Sequence, residues 1–175
     1  MVNSYVEERS QQVYCVIDKG RVMKMPFAGL SLLDYAINAT LVISSVALRG
    51  HDKAGLVTFS NRVDSFLAAE RTDARMREIL ETLYHQKTGY PESDFERLYI
   101  EISKHIPQRS LLILFTNFET LSALKRQEPY LRKMATRHRV VVVLFENTEI
   151  AGLLGKDSPD AAGVYTQVVA ERFAF

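Results

Sequence analysis

One short run constrains this chain more than any other. Val13 to Met23 reads VYCVIDKGRVM, an apolar segment that ends in an aspartate and a glycine. It is too short for a stable helix and rich in β-branched and aromatic residues, so it is expected as a buried central strand. Asp18 falls where that strand should end, and Gly20 offers a sharp turn without a Cβ. In open α/β sheets, ligands bind outside the carboxyl ends of the strands, where the strand order reverses. Asp18 is therefore the first candidate for a functional residue.

The other segments fit the same architecture. AGLVTF at 54–59 is a second strand. Two turn residues, Ser60 and Asn61, lead from it to an alternating run at 62–68, so the pair is expected as an antiparallel hairpin with 62–68 at the sheet edge. RSLLILFT at 109–116 and RVVVVLF at 139–145 complete the strands. Between them lie helical patterns. The first runs from Leu32 to about Leu48, with Ser31 as N-cap, Asp34 three residues on and Gly50 as the stop. The second is capped by Thr72 or Asp73 and turns Met76, Ile79, Leu80 and Leu83 inward. The third covers Asp94 to His105, and Ser93 with Glu96 would form its capping box. The fourth covers Leu121 to Thr136, with a kink or break at Pro129. Short helices are expected at 146–154 and 160–173.

Near-continuous apolar strands separated by helices imply a doubly wound, mostly parallel α/β sheet with one antiparallel edge strand and helices on both faces. The divisions are a polar lead-in at 1–11, the domain at 12–158, and a C-terminal helix at 159–175 that belongs to it and is expected to be truncated. No strand follows the last helix, which leaves the apolar 140–145 strand as a sheet edge.

Composition narrows the function. A formal net charge of +1 on 175 residues gives no global field for nucleic acid. The basic pairs Lys125–Arg126 and Arg132–Lys133 are interrupted by glutamate and aromatics, as on a solvated helix face. The single cysteine, Cys15, lies mid-strand and is expected as a core thiol. No uninterrupted apolar run approaches the ~18 residues that span a bilayer, so the expected location is cytoplasmic. The four histidines show no metal-ligand spacing.

Known catalytic patterns are incomplete. Asp18 could open the Asp-x-Asp pattern of a haloacid-dehalogenase-type phosphatase, but Gly20 stands where the second aspartate belongs. No P-loop, GxGxxG or GxSxG sequence occurs.

Taken together, the strand ending in Asp18, LDYAINATLVISSVAL, HDKAGLVTFSNRV, ESDF at 92–95, PQRSLLILFTNFE at 107–119 and RHRVVVVLF at 137–145 resemble the von Willebrand factor A fold. More narrowly, they resemble the bacterial family of A-domain-like proteins of unknown function encoded beside MoxR-type AAA ATPases. The likeness spans about residues 12 to 155. It implies a metal-ion-dependent adhesion site at the strand tops in members that keep its ligands: an Asp-x-Ser-x-Ser pattern, a hydroxyl from a second loop, and a later Thr-Asp pair. Here Asp18 stands, Gly20 and Val22 occupy the serine positions, Ser93 and Asp94 fall in the second loop, and the pair reads Thr116–Asn117. Asp18, Ser93 and Asp94 are thus the candidate ligands of a degenerate site. No cofactor is expected beyond the magnesium ion that such a site would admit.

The resemblance implies a noncatalytic protein–protein interaction module that works with a MoxR-type ATPase on a membrane-linked complex, at the membrane face where the whole protein is anchored. The alternative is an Asp18-dependent hydrolase or phosphotransferase. The expected partner surface comprises Asp18, Gly20, Arg21, Met25, Phe27, Tyr90, Asn117 and Phe118, with its aromatics exposed.

Overall fold

A computed structural model describes residues 10–89 and 91–145. Five strands form one sheet in the order β5-β4-β1-β6-β7. The first, β1 (Gln12–Asp18), lies at its centre and pairs in parallel with β4 (Lys53–Phe59) and β6 (Leu111–Phe115). At one edge β5 (Val63–Glu70) runs antiparallel to β4, as the hairpin signal required. At the other, β7 (Arg139–Val143) runs parallel to β6 and has no further neighbour among the described residues. Val141 and Val142 of β7 are accordingly exposed. A two-strand ribbon of β2 (Pro26–Phe27) and β3 (Leu30–Ser31) follows a single 3-10 turn at Arg21–Lys24, where the sequence suggested only a loop.

Helices cover both faces, and the alternation of strand residues divides the core in two. One face buries Cys15, Ile17 and Leu56 beneath α1 (Leu32–Arg49) and α2 (Arg75–Tyr84). The other buries Val16, Val57 and Leu114 beneath α3 (Phe95–His105) and α4 (Leu121–Arg137). Each such side chain contributes about 1.5–3 kcal/mol by leaving water. Gly55 has a steric reason. The Tyr14 ring crosses it so that the Tyr14 hydroxyl can accept the Ala69 N–H at 2.9 Å, and a Cβ on Gly55 would collide with that ring.

The helices depart from expectation at particular residues. Ser31 and Asp34 do form a capping box on α1. By length and composition alone α1 would suffice to cross a membrane, which the sequence expectation overlooked. In the fold it lies on the sheet, with Leu33, Ala36 and Thr40 buried. Neither Thr72 nor Asp73 caps α2, whose first residue follows Ala74 without a side-chain cap. Leu80 is 51% exposed rather than inward. The buried positions of α2 are Arg75, Ile79 and Leu83, and Arg75 is made tolerable by ion pairs to Glu70 at 2.6 Å and Glu78 at 2.8 Å. Pro129 does not break α4, because it lies on the exposed side where water can satisfy the carbonyl that loses its donor. The helices expected at 146–154 and 160–173 lie outside the described residues.

Candidate functional site

The carboxyl end of β1 delivers Asp18 into the centre of the sheet's upper edge, where it is fully buried. Three segments converge on its carboxylate. Oδ1 accepts from the Gly20 N–H at 2.7 Å and from the Ser93 hydroxyl, and Oδ2 accepts from the Thr116 hydroxyl at 2.6 Å. Burial pushes the Asp18 carboxyl above its ordinary value, and the donors from Ser93, Thr116 and Gly20 pull it back.

Backbone bonds lace the same loops together. Lys19 N–H donates to the Phe59 carbonyl, Gly89 N–H to that of Lys19, and Arg21 N–H to that of Pro91. Lys19 also pairs with Asp64 at 2.8 Å, and together with Arg62 it overcomes the partial burial of Asp64 and lowers its pKa.

Gly20 is required by close approach. Its φ of −64° and ψ of 174° are open to any residue. A Cβ there, however, would overlap the Ser93 hydroxyl and stand 3.3 Å from the Pro91 carbonyl oxygen. The chain does turn here, into Arg21–Lys24, without a left-handed residue. The glycine instead makes room for the second loop to reach Asp18.

Ser93 does not cap α3. The cap is Asp94, whose Oδ1 accepts the Arg97 N–H at 2.9 Å, and its other oxygen pairs with the Arg97 guanidinium at 3.4 Å. Of the three candidate metal ligands, the structure brings Asp18 and Ser93 together and turns Asp94 onto its own helix. Asn117 is also engaged, donating from Nδ2 to the Phe145 carbonyl and accepting the Phe118 N–H at Oδ1. Gly20 and Val22 bring no side-chain oxygen. Among the described residues no three His, Cys, Asp or Glu side chains converge. Magnesium demands near-octahedral oxygen ligands. This donor set does not fit that demand, because one carboxylate, already holding three protein donors, converges with only two hydroxyls.

Beside Asp18, between the first turns of α3 and α4, lies a cleft of about 230 Å³. Val22, Phe95 and Phe118 give it an apolar floor, and Asn117, Thr120 and Ser122 line its polar side. Two ion pairs stand at its rim, Arg21 with Glu119 at 2.9 Å and Arg126 with Glu92. Such a mixture of apolar floor and polar rim suits a protein contact.

The sequence-derived surface divides around this cleft. Asp18, Arg21, Asn117 and Phe118 line it, and Gly20 lies buried behind it. Phe118 is 9% exposed and packs on Phe95 at 5.7 Å between ring centres, so it is floor and not an exposed aromatic. Met25 and Phe27 lie outside the cleft. Both are half-buried against the α1 side of the core, with Phe27 packed on Tyr35 at 5.8 Å. Tyr90 lies outside the described residues. Sequence reasoning placed Glu92 and Glu119 in loops of the expected surface but missed Arg126 and both pairings, because a charge on a helix face carries no local sign that it will meet a charge from another segment.

Solved structures share this architecture at low identity. The SpRpn10 VWA domain aligns with a TM-score of 0.50 and 11% identity over 78% of this chain and 89% of that one. BatB from Bacteroides thetaiotaomicron aligns with a TM-score of 0.55 and 14% identity over 76% and 65%. An aerotolerance-related membrane protein from Bacteroides fragilis gives 0.51 and 13% over 78% and 68%. No curated protein matches the sequence. The fold is thus that of a von Willebrand factor A domain, as the strand pattern and the Asp18 region led us to expect. With residues 1–154 matching the family described as "Protein of unknown function DUF58", the chain belongs to the DUF58 family.

Proposed function

We propose that this chain is a noncatalytic protein–protein interaction module that grips its partner in the cleft beside Asp18. The observation that carries the reading is the division of labour at the strand tops. Asp18 is spent inside the protein, holding Gly20, Ser93 and Thr116 in place, while the cleft beside it presents an apolar floor between two ion pairs. A fully buried carboxylate with three donors is poorly placed to attack a substrate, which supports this reading over an Asp18-dependent hydrolase or phosphotransferase. On this reading the site is a degenerate form of the metal-ion-dependent adhesion site, whose aspartate accepts two protein hydroxyls and an amide. Arg21, Asn117 and Phe118 form its contact surface, with Met25 and Phe27 on the adjoining loop. The family resemblance supplies the partner, a MoxR-type AAA ATPase, and the setting, assembly or remodelling of a membrane-linked complex at the cytoplasmic membrane face.

The test is binding of the purified chain to the MoxR-type ATPase of its own organism. Arg126→Ala and Arg21→Ala should weaken capture, and EDTA should leave it unchanged. Calorimetry with Mg²⁺ and Mn²⁺ should show no saturable binding that depends on Asp18. Capture lost in EDTA and restored by Mg²⁺ would refute the metal-free grip. Phosphoester turnover abolished by Asp18→Asn would refute the noncatalytic reading.

A further inference from the structure

The two ends of the sheet differ in how their cations are held. At the carboxyl end of the parallel strands, Lys19 and Arg62 pair with Asp64, Arg21 with Glu119, Arg97 with Asp94 and Arg126 with Glu92. At the amino end the pattern reverses. Arg49 and Arg137 close α1 and α4, Lys53 and Arg139 open β4 and β7, and Arg71 and Arg109 stand in connections at the same level. Among the described residues, none of these six has a carboxylate within ion-pair distance. All are exposed except Lys53, which is half-buried.

The carboxylates at this level are few. Among the described residues, Glu70 and Glu78 are held by the buried Arg75, Asp52 accepts the Gln11 N–H, Glu101 pairs with His105, and Asp73 is the fifth. Arg49 and Arg137 complement the negative ends of their helices. Arg71 donates to the His51 carbonyl at 3.1 Å, and Lys53, Arg109 and Arg139 have no such reason to be there. Among the described residues this end carries a local excess of positive charge.

We propose that the amino end of the sheet is a docking face for an anionic lipid headgroup layer. Flexible, unpaired cations spread around the end of a sheet suit a diffuse negative plane. A grip on nucleic acid would set aromatic side chains among the cations for bases to stack on. Of the neighbouring described positions Gly50, His51, Asp52, Thr72, Gln108 and Ser110, His51 alone brings a ring, where a stacking groove would set several. The chain also reaches the domain from this side, since Gln12 opens β1 directly beside Lys53. The cleft, at the opposite end of the strands, would then face away from the lipid, open to a soluble partner. This inference extends the membrane-linked reading but makes no use of the cleft, so each can fail without the other.

Cosedimentation of the chain with lipid vesicles tests it. Vesicles of phosphatidylcholine mixed with phosphatidylserine should carry the protein down, and phosphatidylcholine alone should not. High salt should release it. Each cation near an anionic surface contributes about a five-fold gain, or about 1 kcal/mol. The triple variant Arg71→Gln, Arg109→Gln, Arg139→Gln should therefore bind about a hundred-fold more weakly. The charge-matched triple Arg62→Gln, Lys87→Gln, Lys125→Gln, placed away from this end, should lose far less. Arg49→Gln with Lys53→Gln repeats the test should the first triple not fold. Absence of binding by the unaltered chain, or equal losses in the two triples, overturns the proposal. Duplex DNA bound more tightly than the vesicles, through the same residues, overturns it in favour of nucleic acid.

Discussion

Replacing Gly20 by alanine separates two physical expectations of opposite sign. The backbone at Gly20, with φ −64° and ψ 174°, is one that alanine adopts freely. On conformational grounds alone the substitution should stabilise by about 0.4–1 kcal/mol, because it narrows the unfolded ensemble. The structure predicts the reverse, since the new Cβ would overlap the Ser93 hydroxyl. Forcing that hydroxyl aside costs about 1–3 kcal/mol in strain. It also weakens a hydrogen bond to a carboxylate, worth about 1.5–3 kcal/mol. Offset by the entropic gain, the net loss should be about 3 kcal/mol, or a Tm lower by roughly 6–12 °C for a chain of this size.

Urea unfolding is the assay, with a shift in midpoint at unchanged slope. Ser93→Ala supplies the internal control, because it removes the colliding oxygen while costing one donor to Asp18. The double variant Gly20→Ala, Ser93→Ala should be little less stable than Ser93→Ala alone, a coupling of about 1–3 kcal/mol. Additive losses, or a single Gly20→Ala variant more stable than the original, would refute the claim that close approach explains this glycine.

Further outcomes follow from buried titratable groups. Burial raises the Asp18 pKa in the fold, so the folded chain binds that proton more readily than the unfolded chain does. Its contribution to stability is greatest at low pH and declines as pH rises above the ordinary carboxyl range near 3.8. Asp18→Asn, whose amide can donate to Thr116 while its oxygen still accepts from Gly20 and Ser93, should fold and should lack that decline when the two are compared across pH. His138 is 3% exposed, neither ring nitrogen has a partner among the described residues, and burial lowers its pKa from 6.5. The neutral ring is favoured in the fold, so stability should fall as pH drops below about 6.5, and His138→Phe should remove that loss in denaturation series. Cys15 is 1% exposed and its thiol is pushed up to about 11, so a disulfide reagent at mildly alkaline pH should label it only after unfolding.

Apolar runs made the central strands legible, and Ser60–Asn61 made the hairpin legible, because both signals are local. The same is true of the Ser31–Asp34 cap. Position 93 shows where local reading fails. Ser93 and Asp94 are both good caps, and only the distant carboxylate of Asp18 decides that Asp94 takes the helix while Ser93 turns to the sheet. Leu80 fails for a related reason. Its helix sits with Arg75 inward, held by Glu70 from the end of β5, and that rotation leaves Leu80 facing water. Asp18 was legible as a site residue because the end of a central strand is a position with meaning. The cleft beside it was not, because its rim joins Arg21 to Glu119 and Arg126 to Glu92 across long stretches of chain.

The bonds that Asp18 accepts from Ser93 and Thr116 bridge 75 and 98 residues of chain. The β4–β5 hairpin closes over a turn of a few residues and can form early, whereas contacts so distant must wait until two crossovers have packed. The β1–β6 ladder spans the same distance, so the upper edge should close together with the centre of the sheet and after the hairpin. Losing one of its donors should hasten unfolding far more than it slows folding. Whatever recognises the cleft therefore reads a surface that exists only once segments 75 and 98 residues apart have met.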